Sequence, residues 1–291
     1  MSIKNKVDLH TIIIYIILIV VVIFVLFPYV WMVSTSFKEE QEIMAADFSW
    51  IPKKLVFKNY LWILGITAEG VSSTGQSIGL LKYLFNSAVL SISTIFPVAI
   101  VATFGGYSVS RFRYRGRKFL AMIILITTFF PIALFLIPWY QMLSLFHLID
   151  NFFGLVLTFT AVCLPFSLWM MKGYIDTIPG AIEECALVDG CTRVQAFIRI
   201  TIPLLQPGLV SVIAYTVVTC WNDFLIPSIL TNTMKTKTIS VGLQEMLTFF
   251  GKTNWGGLMA GSVVTALPIA IIFVLGQKQL ISGMTGGSVK A

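Results

Sequence analysis

Few residues in this chain could carry chemistry, and their spacing excludes most of it. Gly251-Lys-Thr253 ends like a phosphate-binding loop, but Met246 stands where that loop needs its first glycine. No strand precedes it either, so its backbone amides cannot cradle a phosphate. His10 and His147 stand alone and form no metal set with Cys163, Cys185, Cys191 and Cys220. Those cysteines show no C-x-x-C pairing and no disulfide framework. With no Ser/His/Asp arrangement and no paired carboxylates in an apolar run, no catalytic residue is assigned.

One ionisable group, Asp223, lies inside a long apolar run, in Cys220-Trp-Asn-Asp-Phe224. Charge in such a place is costly and often functional. Two readings stand. Asp223 can cap a helix end or bond a neighbouring helix. Alternatively, Trp221 stacks on the apolar face of a pyranose while Asn222 and Asp223 bond its hydroxyls. Phe129, Phe130, Trp139 and Tyr140 admit the same pathway reading, against the ordinary one that Trp and Tyr line the membrane interface.

These residues must be held by elements that cross a bilayer. Of 291 residues, 57% are hydrophobic and 11% charged, with mean hydropathy +0.89; a soluble domain carries about 25% charge. The expected class is an all-α integral membrane protein, with six spans at about 11–34, 84–109, 119–138, 152–171, 209–230 and 257–276. Each is long enough for ~30 Å of hydrocarbon. The first run is too long, and lacks the small-residue cleavage site, for a removed signal peptide. Pro131, Pro138, Pro165 and Pro268 predict kinks. Gly257-x-x-x-Gly261 predicts close helix approach, within the chain or with a sister subunit.

Orientation follows from charge. Arg111, Arg113, Arg115, Arg117 and Lys118 follow the second span, whereas the short loop 141–151 has no Lys or Arg. The positive-inside rule puts residues 1–10, the arginine cluster and the tail 282–291 in the cytoplasm. Residues 35–82 then form an extracellular loop, and 83–281 the core. The net charge of +7 reports this topology, not nucleic acid.

One segment, 176–203, is neither span nor simple loop. Pro179 suits a helix start. Glu183 and Glu184 oppose the positive end of the helix dipole. Gly190 allows a left-handed helix end, and Thr192 with Gln195 forms a capping box for a second helix. Arg193 opens that helix, Val194, Phe197, Ile198 and Ile202 line one side of it, and Pro203 should stop it.

Glu184-Cys-Ala-x-x-Asp-Gly190, followed after nine residues by Ile200-x-Ile202-Pro203, resembles the EAA loop of ABC-importer permeases; Cys185 departs from the usual Ala. About 80–291 resembles the second permease chain of maltose/multi-sugar importers. Asn86-Ser87, Gly106-Tyr-Ser-Val-Ser-Arg-Phe112, Lys172-Gly-Tyr174 and the tail Leu280-x-x-Gly-Met-Thr-Gly-Gly-Ser-Val-Lys290 carry the likeness. The resemblance implies a bacterial cell-membrane permease subunit that imports a sugar or oligosaccharide. It implies a second homologous permease, two ATPase subunits holding ATP and Mg, and an extracellular sugar-binding protein; no cofactor is expected on this chain. It further implies that Glu183, Glu184, Ala186, Asp189, Gly190, Arg193 and Pro203 serve ATPase coupling. By position, Phe249, Phe250, Asn254 and Trp255 would meet the binding protein. An ion-coupled secondary sugar carrier is the alternative, but it needs several buried ionisable groups and this chain offers at most one. A membrane enzyme finds no catalytic grouping.

Overall fold

The computed structural model describes residues 9–47, 49–66, 79–248 and 254–286, with side chains to Val274. Among the described residues every regular element is helical. In order these are α1 (Leu9–Ser36), α2 (Glu40–Ile43), α3 (Lys58–Ile63), α4 (Leu80–Arg111), α5 (Arg117–Ile126), α6 (Leu136–Leu145), α7 (Phe152–Thr177), α8 (Gly180–Val188), α9 (Arg193–Ala196), α10 (Ile202–Leu204), α11 (Gln206–Asn222), α12 (Leu225–Leu230), α13 (Ile239–Thr248) and α14 (Trp255–Gly286). The chain divides into two compact units, residues 1–80 with 243–266, and 81–242 with 267–291.

In the first unit, α1 is apolar on every side and exposed along its length, the pattern of a helix in a lipid-like surround. Burial begins at its last turn. Asn59 Nδ2 donates to the Ser36 and Lys38 carbonyls at 2.9 and 3.0 Å, and the Tyr60 hydroxyl meets Ser36 Oγ at 2.8 Å. The expected loop 35–82 therefore begins as a folded cap, containing α2 and α3, on the end of α1. A Cβ on Gly257 would lie 2.6 Å from the Trp62 ring, and one on Gly261 would lie 2.9 Å from Leu243. The small-residue stripe thus packs inside this chain.

In the second unit, α7 and α11 are the central pair. Tyr174 OH and Ser211 Oγ are 2.9 Å apart across them. Val98 and Ala102 of α4 join Cys163, Met171 and Ile175 of α7 and Val212 of α11 in one buried cluster. Leu136 and Leu143 of α6, Leu155 and Phe159 of α7, and Ile226 and Leu230 of α12 form another. In lipid such clusters hold by close packing and dispersion, since hydrocarbon tails are as apolar as leucine.

Among the described residues four helices are long and apolar enough to cross a membrane: α1, α4, α7 and the Trp255–Val274 stretch of α14; the pair Arg193–Leu204 and Gln206–Asn222, bent by 68°, adds a fifth if taken as one span. Two expected spans are broken. The third, 119–138, parts at Phe130, whose ψ of 133° is extended; Pro131 follows, and a residue before proline is pushed out of helical geometry. The fifth, 209–230, parts at Asp223, with φ −67° and ψ 129°.

Pro203 requires a correction. It does not stop the second short helix: Ile202 before it keeps φ −58° and ψ −47°, and helix continues to Leu204. The reason is a π turn at Phe197–Thr201, in which Ile202 N–H donates to the Phe197 carbonyl five residues back. The wider turn moves the carbonyl of Arg199 away from the proline ring that would otherwise strike it. The break comes at Leu205, with φ −84° and ψ 0°.

Candidate functional site

The segment between α7 and α11 is a bent elbow whose turns are set locally. Ile178 and Pro179 are extended, with ψ 120° and 129°, so Pro179 caps α8 rather than opening it. At the far end of α8, Cys191 N–H donates to the Ala186 carbonyl at 2.9 Å and Gly190 N–H to Leu187 at 3.1 Å. These two bonds make a Schellman ending, and it needs the left-handed φ of +87° that Gly190 supplies. Thr192 and Gln195 then form the expected capping box: Thr192 N–H donates to Gln195 Oε1 at 2.9 Å and Gln195 N–H to Thr192 Oγ1 at 3.2 Å.

The elbow has two different faces. Glu184, Asp189, Arg193 and Pro203 are exposed. So are the apolar side chains of Val188 at 88%, Val194 at 65% and Ile198 at 55%, on the same elbow as those charged groups. Ala186 is buried, and Glu183 turns inward. Its Oε1 accepts from Arg111 Nε at 2.9 Å and Thr201 Oγ1 at 3.1 Å, and its Oε2 accepts from Tyr107 OH at 2.9 Å. Glu183 and Ala186 therefore support the elbow from beneath, whereas the other five coupling candidates lie on or beside its outer side. The sequence uses Arg111 for orientation and gives no role at this site to Arg111, Tyr107 or Thr201. The one signal was that Tyr107 and Arg111 sit within Gly106-Tyr-Ser-Val-Ser-Arg-Phe112, at the spacing that puts both on one helix face.

The pathway candidates separate. Trp221 is buried and lines a groove of about 400 Å³ with Leu84, Phe85, Ile92, Val217 and Pro268. Asn222 is exposed. Asp223 caps: its Oδ1 accepts from Ile226 N–H at 2.9 Å, and its carbonyl accepts from Ser240 Oγ at 2.7 Å. Of the three, Trp221 is buried beside the groove, Asn222 is exposed and Asp223 is engaged as a cap. Trp139 stacks on Phe135 at 5.6 Å and 22°, and Phe130 meets Phe135 at 6.3 Å. An aromatic run thus follows the α5–α6 break, through a Phe135 that the sequence reading passed over. Phe129, Phe130 and Tyr140 are exposed.

Of the external candidates, Asn254 is a helix cap, its Oδ1 accepting from Gly257 N–H at 2.8 Å. Trp255 is 38% exposed. Phe249 and Phe250 lie outside the described residues.

A second polar cluster ties two loops together. Asp150 Oδ1 accepts from Asn232 N–H at 2.9 Å, Thr233 N–H at 3.0 Å and the Thr236 hydroxyl. Asp150 N–H donates to the Leu230 carbonyl at 2.8 Å. Desolvation opposes the charge of Asp150. The bonds from Thr236, Thr233 and Asn232 outweigh it and hold the carboxyl at about 2, below its ordinary 3.8. A depressed carboxylate stabilises the fold above its unfolded value and ceases to do so as pH falls through the folded one. The 231–236 turn should therefore stay protected down to about pH 3.8 and loosen as pH falls towards about 2. In Asp150→Ala, hydrogen exchange at Asn232 and Thr233, corrected for intrinsic rates, should rise by roughly tenfold at neutral pH, the loss of one charged acceptor.

The site is thus a bent elbow, set between apolar helices, that shields Glu183 and exposes Val188, Val194 and Ile198. The chain belongs to the family of binding-protein-dependent transport system inner membrane components, whose model matches residues 95–285. It is 32% identical to the inner membrane ABC transporter permease protein YcjP of Escherichia coli (strain K12), over 98% of this chain and 99% of that one. It is 29% identical to the diacetylchitobiose uptake system permease protein DasC of Streptomyces coelicolor, over 91% of each. Its fold matches a bacterial ABC transporter for import of the acidic polysaccharide alginate, with TM-score 0.78 and 20% identity over 96% of this chain and 99% of that one. The chain is an ABC-importer permease, and the ion-coupled carrier is set aside.

Proposed function

We propose that this chain forms half of the translocation pathway for an oligosaccharide or related sugar. A binding protein on the outer face delivers the sugar, and two ATPase subunits, one docked on the elbow of each permease, drive the cycle. The observation that carries this reading is the exposure of the apolar side chains Val188, Val194 and Ile198 on the same elbow as Glu184 and Arg193. Such exposure to water is unfavourable, and a partner cleft relieves it. The sugar class draws support from the diacetylchitobiose system named for the Streptomyces relative, and a second permease from the two unlike permease chains of maltose-type importers.

In the proposed topology both termini, the arginine cluster and the elbow are cytoplasmic. Six crossings are reached by taking α5 and α6 as one broken crossing and α11 with α12 as another. Non-helical backbone within a membrane is tolerated where protein covers it, and α6 and α12 share a buried cluster with α7. ATP and Mg belong to the partner ATPases, and this chain holds no cofactor. ATP binding would draw the ATPases together, carry the elbows inward and tilt the helices behind them, turning the permease pair from inward-open to outward-open.

The test is reconstitution in proteoliposomes with the second permease, the ATPases and the binding protein. Sugar-loaded binding protein should stimulate ATP hydrolysis and uptake several-fold. Sugar uptake by this chain without ATPases, driven by an ion gradient, would overturn the proposal.

A further inference from the structure

The elbow is joined to its neighbours by weak covalent joints and one strong polar one. It enters through extended Ile178 and Pro179, ψ 120° and 129°. It leaves through the Leu205 break, where the helix axis bends by 68°. Neither joint is continuous helix, so a push on the elbow can be absorbed as backbone rotation at either end.

The polar joint bypasses both. Arg111 lies at the end of α4, and its guanidinium donates to Glu183 at 2.9 Å and to the Ile178 carbonyl at 2.7 Å. Tyr107, one turn earlier, donates to the same carboxylate at 2.9 Å. Thr201, in the π turn past α9, donates to it at 3.1 Å. The Phe197 ring, from the same turn, sits 4.5 Å from the Tyr107 ring and 5.3 Å from the Phe104 ring. One carboxylate thus ties α8, the π turn and α4. The pair is shielded, with side-chain exposure of 19% for Arg111 and 13% for Glu183. A carboxylate has about four acceptor directions, and three are taken inside the chain. Glu184, the next residue, stays exposed.

We infer that Glu183 is a positioning residue for energy coupling: with Arg111, Tyr107 and Thr201 it locks the elbow to the cytoplasmic end of α4. Movement of the elbow then drives α4 directly as well as α11 through the chain. The π turn has a use in this arrangement, since it brings Phe197 and Thr201 to face α4 together. The inference rests on the reading that the ATPases dock on the elbow, and it adds that Glu183 does not touch them.

The experiment uses the complete transporter, purified and reconstituted with its ATPases and binding protein. Variants are Glu183→Ala, Glu183→Gln, Arg111→Met, Thr201→Val and the Glu183→Ala/Arg111→Met pair. Three quantities are measured: ATPase subunits retained on purification, ATP hydrolysed, and sugar moved per ATP. Wild type and all variants should retain their ATPases. Glu183→Ala and Arg111→Met should each lower sugar moved per ATP by roughly tenfold, and the pair no further than the worse single change, because both remove one shared interaction. Glu183→Gln keeps an acceptor oxygen and should lose less. Thr201→Val removes one donor without stranding a charge, so it should fold normally and show a smaller loss of the same kind.

Release of the ATPases by Glu183→Ala but not by Arg111→Met would make Glu183 a partner contact and overturn the inference. So would additive losses, or an unchanged sugar-to-ATP ratio across the set. Wild type purifying without ATPases would overturn the docking reading and this inference together.

Discussion

Gly190→Pro abolishes sugar-stimulated ATP hydrolysis in proteoliposomes, while the chain still inserts in the membrane and elutes as a folded protein in detergent. Gly190 holds φ at +87°, and proline is confined near −65°. Proline also deletes the Gly190 N–H that bonds the Leu187 carbonyl at 3.1 Å. The Schellman turn would be lost, at a cost of about 3 kcal/mol or more in local structure. The elbow's outer face would lose its shape, because the turn sets α9 against α8. Gly190→Ala separates backbone from bulk. A Cβ at this position meets nothing within 4 Å, so alanine suffers only the left-handed strain of roughly 1–2 kcal/mol. Stimulated activity should then fall by roughly five- to thirtyfold if that strain must be met in every coupled state. Gly190→Asn should fall between, since asparagine tolerates that region better. The order Gly, Asn, Ala, Pro marks a conformational demand. Alanine as damaging as proline would mean that a partner atom fills the open space beside Gly190.

What could be read in advance follows from the distance over which each interaction is written. The capping box of Thr192 and Gln195 spans three residues, and the Gly190 turn five, so both are visible in a short string. The apolar runs of α1, α4 and α7 are equally local. Glu183 and Arg111 are 72 residues apart, and nothing in either stretch names the other. The Asp150 cluster reaches over 86 residues to Thr236, with the same result. Asp223 left two local readings open, and a residue 17 positions on, Ser240, joins Ile226 in placing it in the cap. At Phe130–Pro131 the proline signals a kink, but the residues around it are as apolar as the helices on either side, so composition does not show that the kink is a full break. Pro203 misled because the stop rule assumes a regular α register, and the π turn before it changes that register.

The largest effect on assembly should come from the elbow's tip. Val188→Asp should strip the ATPase subunits from the purified complex, and Val188→Ala should not. Val188 is 88% exposed in this chain alone, so in the uncomplexed protein an aspartate there is solvated and costs almost nothing. The elbow's turn and its two helix caps do not involve the side chain, and folding should be unaffected. In a docked complex the same carboxylate enters an apolar cleft without a partner. A buried group left unsatisfied in this way costs roughly 2–4 kcal/mol, or about 30- to 1000-fold in affinity. Truncation to alanine removes two methyl groups, about 1.6 kcal/mol at most, and should weaken docking by no more than about fifteenfold. The contrast needs no change in the permease fold, which thermal unfolding in detergent can check. If Val188→Asp kept its ATPases, the exposed valines would have to be accounted for by something other than a partner subunit. The cytoplasmic leaflet is the obvious alternative, and a change in the protease accessibility of the elbow in Val188→Asp, seen in anionic but not in neutral proteoliposomes, would then identify it.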